Sequence, residues 1–339
     1  NTDKLRTRPL IASANSHTEL TTGHSHLDRL ARKVHDGVLA AGGESAEFNV
    51  PAPCDGVAMA HDGMRFVLAQ RDLIADMIET HVRSQPYDAV VFIAGCDKIN
   101  PGMMMAMARL DLPSLYLAGG PGQMDVRNVH GAPASIDHGD LKHDFQLLAK
   151  SATCATCGAC EIMGTANTFQ CLAEVFGICL PGGSNIPGWH ADKLDAARRT
   201  GERIVDMVGE GLNARQMFTP AAFTNAVRMA MAIGASTNTA LHLPAIAQAA
   251  GHRSRNPSLQ ALGGRRRRLP LGRMPPVAAW LVRENEIAVS QVGLVEREVA
   301  AVGRTPPLVE AAGRQPVDMP QVAAPRGHLA AGAAAQALA

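Results

Sequence analysis

A short apolar segment that ends in three reactive side chains constrains this chain more than any other part of its sequence. Residues 89–94 read AVVFIA, which is typical of a buried β-strand. Cys96, Asp97 and Lys98 follow at the point where that strand is predicted to end. A thiol, a carboxylate and an amine at a strand end favour a ligand site in an α/β sheet. On spacing alone, a turn with a lone cysteine and a surface ion pair explains the same residues equally well.

The order of the predicted elements around this segment indicates an α/β fold. Short apolar strands alternate with amphipathic helices, and this alternation predicts a mostly parallel sheet with helices on both faces. The predicted strands are residues 9–12, 46–50, 89–94 and 113–117. The predicted helices are residues 26–41, 66–82, 103–110, 141–150, 169–176, 193–209, 220–233 and 240–250. Residues 16–26 are predicted to form a polar loop, and Pro101 and Gly102 a turn.

Composition and charge exclude several classes of function. The formal net charge of +1 and the 4% aromatic content do not support binding to nucleic acid or to an anionic membrane. No run of about 18 apolar residues predicts a spanning helix, and the first residues lack an apolar signal core. We therefore expect a soluble, cytoplasmic protein with no membrane or nucleic-acid partner.

The cysteines favour metal or cluster binding over disulfide formation. The chain has 7 cysteines, an odd number, without a secretion signal. Cys154, Cys157 and Cys160 have C-x2-C-x2-C spacing, which suits zinc or an iron–sulfur cluster. Cys171 and Cys179 lie at helical or apolar positions and are predicted to be core thiols.

The C-terminal part of the chain differs in composition from the rest. Arginine, proline and alanine multiply after Gly251, residues 265–268 are consecutive arginines, and residues 323–339 are of low complexity. We therefore divide the chain into a domain at 1–251 and an aberrant tail at 252–339, either frameshifted or poorly ordered. A basic nucleic-acid patch is the alternative, which the balanced charge of the chain disfavours.

Several motifs resemble one enzyme family. They are GCDK at 95–98, PGM at 101–103 and ARL at 108–110. Together they are similar to the signature of the dihydroxy-acid dehydratase and phosphogluconate dehydratase family, and the similarity runs in order over about residues 8–251. The resemblance implies an N-terminal α/β domain that binds iron–sulfur and Mg²⁺. It also implies that the family's C-terminal β-rich domain, which supplies another Mg²⁺ carboxylate and a serine base, is absent here.

The resemblance implies an iron–sulfur cluster, either [2Fe-2S] or [4Fe-4S]. Its ligands would be Cys54, Cys96 and Cys160, with one iron left open. In the family, another ligand often lies at the position of Gly23. Some members have a Gly-His-x-His loop there and carry Cys-Asp-Gly later in the chain, and this chain has that combination, with Cys-Asp-Gly from Cys54. Cys154 and Cys157, which accompany Cys160 in the motif, are then expected to be structural.

The resemblance also implies a Mg²⁺ site with oxygen ligands. Asp55 and Asp97 match the family's carboxylates, and Lys98 matches its lysine that takes up CO2 to become a carbamate. Without the resemblance, Lys98 beside Asp97 is better explained as a plain ion pair. His24 and Ser236 are the residues of this chain that we expect to assist catalysis, although loop histidines are more often structural.

The implied reaction is the dehydration of a 2,3-dihydroxy carboxylic acid to a 2-keto acid by a homodimeric hydro-lyase. The segment ALHLPAI at 240–246 and the Gly-His-x-His loop favour the branched-chain dihydroxy-acid dehydratase of amino-acid biosynthesis. GTANT at 164–168 resembles sugar-acid and 6-phosphogluconate dehydratases instead. An inactive fragment that pairs with an intact subunit is the third interpretation. Thr165, Asn167 and the loop at 236–238 either line the family's cleft or cap helices.

Overall fold

A parallel β-sheet forms the centre of the computed structural model, which describes residues 7–58, 62–123, 156–160 and 162–252. The strand order is β2-β1-β3-β4, and each neighbouring pair is parallel, as predicted. The strands are β1 (Leu10–Asn15), β2 (Glu44–Asn49), β3 (Ala89–Ala94) and β4 (Ser114–Ala118). All of β3 and β4 is buried, which explains why both read as continuous apolar runs.

The described helices lie on both faces of this sheet. They are α1 (Leu27–Ala40), α2 (Asp55–Ala58), α3 (Met64–Arg83), α4 (Ile99–Leu110), α5 (Thr165–Phe176), α6 (Ala191–Glu210), α7 (Ala214–Met217), α8 (Pro220–Ala232) and α9 (Thr239–Ala249). The predicted helix at 141–150, the tail from residue 253 and the expected loss of a β-rich domain lie outside the described residues. None of the described helices is long and apolar enough to cross a bilayer.

The start of α4 differs from the prediction. The turn predicted at Pro101 and Gly102 is wrong, because α4 begins at Ile99 and includes both residues. Proline is tolerated there, since the first turn of a helix needs no partner for its N–H groups. A Cβ at Gly102 would lie 2.7 Å from the carbonyl oxygen of Arg71, so glycine lets α4 pack closely on α3.

Two hydrophobic cores cover the two faces of the sheet. Alternate side chains of β3 point to opposite faces: Phe92 joins the core beneath α3, α4 and α5, and Ile93 joins the core beneath α1 and α6. The contact between α1 and α6 requires glycines. A Cβ at Gly37 would lie 2.0 Å from the carbonyl oxygen of Arg198, a distance that no side chain could occupy.

Because the strands are parallel, their carboxyl ends meet at one edge of the sheet. The segments that follow the strands at this edge carry Ser16 after β1, Cys54 after β2, Cys96 after β3 and Gly119 after β4. Most of the predicted site residues therefore lie on loops and helix starts at this edge.

Candidate active site

Lys98 links two carboxylates at the carboxyl edge of the sheet. Its Nζ atom donates to Asp55 Oδ2 at 2.6 Å and to Asp97 Oδ1 at 2.7 Å, and its side chain is only 8% exposed. Asp55 is the first residue of α2, whereas Asp97 and Lys98 form the turn between β3 and α4. The fold thus brings together the three residues predicted to form the Mg²⁺ site. The distances also match the ion pair that spacing alone suggests.

The charges and the burial of this cluster shift the pKa values of Lys98 and Asp55. Burial by itself would lower the pKa of Lys98, but the charges and hydrogen bonds of Asp97 and Asp55 raise it. Burial raises the pKa of Asp55, with Lys98 opposing that shift and Asp97 adding to it. Asp55 Oδ1 is buried and accepts no hydrogen bond from the described residues. A carboxylate oxygen without a partner next to an ammonium group fits a site for a hard divalent cation.

The thiols of Cys54 and Cys96 are in hydrogen-bond contact with each other. The Cys96 thiol donates to Cys54 and lowers its pKa, whereas burial opposes this shift. The N–H groups of Val57 and Gly56 at the start of α2 lower the pKa further, and it falls to about 6. The same contact, together with burial, raises the pKa of Cys96. The pair therefore places two sulfur donors in contact. Such soft donors fit iron or zinc.

Cys160 lies on a separate segment of the same edge. Its neighbour Ala159 forms a parallel β-bridge with Pro121, just beyond β4. Cys160 is exposed, yet close enough to Cys96 for its charge to raise the pKa of that thiol. Within the part of the chain that the structure describes, no three His, Cys, Asp or Glu side chains are close enough together to hold a metal ion. The structure thus places the predicted cluster ligands at one edge and brings two of them into contact.

The other cysteines have different environments. Cys157 is half-buried, and Cys154 lies outside the described residues. Cys179 packs against the larger core, as predicted. The prediction of a core thiol is wrong for Cys171, which is half-buried and faces Asn185 Oδ1 at 3.9 Å.

The loop at 16–26 is partly buried, although its sequence is polar. His24 Nδ1 donates to the carbonyl oxygen of Ser16 at 2.7 Å, which leaves Nε2 as a buried acceptor without a hydrogen-bond partner among the described residues. Burial lowers the pKa of His24 to about 4. His26 Nε2 donates to the carbonyl oxygen of Gly119 at 2.9 Å. These histidines hold the loop across the ends of the strands.

Ser236 belongs to a polar network that reaches Asp97. Its Oγ atom lies 2.9 Å from Thr165 Oγ1, which also accepts from Asn238 Nδ2 at 2.8 Å. Asn238 Nδ2 lies 3.5 Å from Asp97 Oδ1. Neither Thr165 nor Asn238 caps its helix through its side chain, so the capping interpretation is wrong for both. The loop before α9 is instead tied to α5 and to the carboxylate cluster.

The structure adds buried polar residues that sequence reasoning missed. His242 Nδ1 accepts from Arg71 Nη1 at 3.1 Å, and burial and the charges of Arg71 and Lys98 hold the pKa of His242 well below its usual value. Gln170 is buried in α5, where its side chain accepts from the N–H of Gly120. A polar residue in an otherwise apolar helix segment was the available signal for both. Asp62 is exposed and pairs with Arg65.

Comparison with known proteins assigns the family. The sequence model of the dihydroxy-acid/6-phosphogluconate dehydratase N-terminal domain matches residues 8–277. Dihydroxy-acid dehydratase from Halothermothrix orenii is 42% identical over 252 residues, which cover 72% of this chain and 46% of that protein. Dihydroxy-acid dehydratase from Pyrococcus abyssi is 44% identical over 258 residues, which cover 74% and 47%. The chain spans about half the length of these relatives. It belongs to the dihydroxy-acid/6-phosphogluconate dehydratase family, whose N-terminal domain it matches.

Proposed function

We propose that this chain is the metal-binding part of a hydro-lyase that converts a 2,3-dihydroxy carboxylic acid into a 2-keto acid. One observation carries the proposal: the Lys98 bridge between Asp55 and Asp97 begins directly beside the Cys54 and Cys96 thiol pair. Hard oxygen donors and soft sulfur donors therefore lie side by side in a chain of a dehydratase family. An ion pair at the surface would need neither the burial of Lys98 nor the neighbouring thiols.

The donor atoms suit two different inorganic groups by their chemistry, although the described residues bring no three His, Cys, Asp or Glu side chains together. Cys54, Cys96 and Cys160 would hold an iron–sulfur cluster, either [2Fe-2S] or [4Fe-4S], while Asp55, Asp97 and a carbamate on Lys98 would hold Mg²⁺. When bound, these groups would supply Lewis acidity at the departing C3 hydroxyl and at the carboxylate and C2 oxygen of the substrate.

Carbamylation explains how a lysine can belong to a cation site. The Lys98 ammonium now neutralises the two carboxylates from a buried position. Loss of the ammonium proton to solvent, reaction of the neutral amine with CO2 and release of a second proton would replace the positive charge with an anionic oxygen donor. Asp55 and Asp97 would then lose their ammonium partner and become available to a divalent cation.

Proton transfer requires an acceptor near C2 of the substrate. Within the described residues, His24 and Ser236 are our candidates, and each has a restriction. His24 is buried, and a pKa of about 4 makes it a weak base at neutral pH. The Ser236 hydroxyl is engaged with Thr165 Oγ1. We therefore expect the main proton acceptor to come from outside the described residues.

We propose a branched-chain dihydroxy acid as the substrate, because the curated relatives are named dihydroxy-acid dehydratase. A sugar acid or 6-phosphogluconate is the alternative, since the matching family model also covers 6-phosphogluconate dehydratases.

We further propose a cytoplasmic homodimer. Because the chain spans only about half the length of its relatives, an inactive fragment that pairs with an intact subunit is a second candidate function.

A complementation assay tests this function. The anaerobically purified chain is given 2,3-dihydroxyisovalerate or 6-phosphogluconate, alone and with the separately produced C-terminal half of the Halothermothrix orenii relative. We expect very slow turnover alone and a gain of about 10²- to 10⁴-fold on complementation, the usual contribution of a positioned general base. Asp97→Asn should abolish the gain, whereas Asp62→Asn, which changes an exposed carboxylate, should retain it.

Two outcomes would contradict the proposal. Full turnover by the chain alone would mean that this chain itself supplies the base. Equal rescue of the Asp97→Asn variant and the wild-type chain would remove the carboxylate cluster from the reaction. Rescue only with 6-phosphogluconate would change the substrate and keep the reaction.

A further inference from the structure

The backbone around Cys160 is held by one buried side-chain amide. Asn167, the third residue of α5, donates from Nδ2 to the carbonyl oxygen of Cys160 at 2.5 Å and to that of Ile162 at 2.8 Å. Asn167 is only 9% exposed. The amide therefore donates twice to the loop that precedes α5, once to the carbonyl oxygen of Cys160 itself and once to that of Ile162.

Gln170 fixes the orientation of this amide and connects it to the sheet. Its Nε2 atom donates to Asn167 Oδ1 at 3.2 Å, and its Oε1 atom accepts from the N–H of Gly120 at 2.7 Å. The carbonyl oxygen of Gly120 in turn accepts from the N–H of Ala159 at 2.8 Å. Hydrogen bonds therefore fix Cys160 through its own carbonyl oxygen and through the N–H of the preceding Ala159. Both series of hydrogen bonds include Gln170.

Close packing at two glycines restricts the backbone conformation of the loop around Cys160. Gly158 has φ of +124° and Gly120 has φ of +83°, values that favour glycine. A Cβ at Gly120 would lie 2.1 Å from the carbonyl oxygen of Ile186, and one at Gly158 would lie 2.5 Å from the nitrogen of Gly122. The segments around Cys160 are packed backbone to backbone, although the thiol itself is on an exposed residue.

We propose that Asn167, oriented by Gln170, is a positioning residue that sets the place of the Cys160 thiolate for cluster binding. The inference rests on the proposed function, in which Cys160 is a cluster ligand. Cys54 and Cys96 locate each other by direct contact, whereas Cys160 comes from a separate segment and needs another means of placement. Side chains that orient a ligand from outside typically change metal affinity by about 10- to 100-fold when they are replaced.

The decisive variant is Asn167→Asp, which keeps the size of the side chain and replaces both donors with an oxygen. That oxygen would face the carbonyl oxygens of Cys160 and Ile162, so the loop should move away. After anaerobic reconstitution, we expect iron loss to a chelator to be about 10-fold faster than in the wild-type chain. The visible absorption should decline at the same rate. The unfolding midpoint of the cluster-free protein serves as a check that the variant is folded.

Glu174→Ala is the matched control on the same helix. Glu174 accepts from the N–H groups of Gly182 and Ser184 and therefore holds a different loop. We expect this variant to release iron at the wild-type rate, even if its unfolding midpoint falls. Equal acceleration in the control and in Asn167→Asp would mean general loosening of α5 and would overturn the proposal.

Cys160→Ser separates failure of this inference from failure of the proposed function. Wild-type iron retention by Cys160→Ser would show that Cys160 is not a ligand, and the proposed function would fail on that point. Loss of iron in Cys160→Ser with a wild-type release rate in Asn167→Asp would overturn the positioning role alone. If Asn167→Asp does not fold, Gln170→Leu is measured in the same way, and an unchanged rate there would overturn the proposal.

Discussion

Two buried lysines lie at the same edge of the sheet in opposite surroundings. Lys98, after β3, donates to the carboxylates of Asp55 and Asp97. Lys193 reaches the end of β4 from α6 and, among the described residues, donates to the carbonyl oxygens of Ala118 at 3.1 Å and Gly183 at 2.6 Å. The first lysine is part of a charge cluster, and the second joins two backbone segments.

The pKa shifts of the two lysines have opposite signs. Carboxylate charges outweigh burial and raise the pKa of Lys98. Burial lowers the pKa of Lys193 to about 8, because Cys179 and Glu174 only partly compensate for it. Residue type and burial therefore do not distinguish the two lysines. The charges in contact with the amine do.

Replacement of Lys98 should change the free energy of unfolding more than replacement of Lys193. Lys98→Met would leave the Asp55 and Asp97 carboxylates buried without a cation, so we expect the free energy of unfolding to fall by about 3–5 kcal/mol without Mg²⁺. Added Mg²⁺ should restore part of that loss, because the carboxylates can then bind the metal ion. Thermal and urea unfolding with and without Mg²⁺ measure both effects. A variant as stable as wild type, or one indifferent to Mg²⁺, would mean that the cluster is not a cation site.

Replacement of Lys193 should change the pH dependence of stability. The folded-state pKa of about 8 lies below the unfolded value of 10.5, so between those values the unfolded chain binds a proton that the folded chain has lost. Stability from this group therefore rises with pH across that window, by about 3 kcal/mol at most. Lys193→Met should lose this rise. The half-exposed Lys33→Met serves as the control, and a wild-type slope in Lys193→Met would contradict the assignment.

Local sequence patterns predicted much of the fold and part of the site. The run at 89–94 matches β3 at both ends, because a strand buried on both faces must be apolar throughout. Asp97 and Lys98 could be found because they directly follow that strand. The spacing of Cys154, Cys157 and Cys160 indicated metal binding, but only resemblance grouped Asp55, Cys54 and Cys160 with Cys96, since their proximity depends on how distant segments meet.

The features that were missed depend on contacts far apart in the sequence. The roles of Asn167 and Gln170 arise from hydrogen bonds to Cys160 and Gly120, which no local pattern encodes. The start of α4 at Ile99 was missed because Pro101 and Gly102 are also common turn residues. Cys171 was assigned to the core from its helical position, but its side of α5 is not fully covered.

The central claim is that soft thiol ligands and a hard carboxylate site lie together in this chain, and iron analysis tests it most directly. Iron and acid-labile sulfide are measured after anaerobic purification of the wild-type chain and of Cys96→Ser, Cys160→Ser and the control Cys171→Ser. We expect iron and sulfide in the wild-type chain and in the control, and loss of both with the visible absorption in the other variants. Full iron retention in Cys96→Ser and Cys160→Ser, or zinc without sulfide in the wild-type chain, would contradict the account.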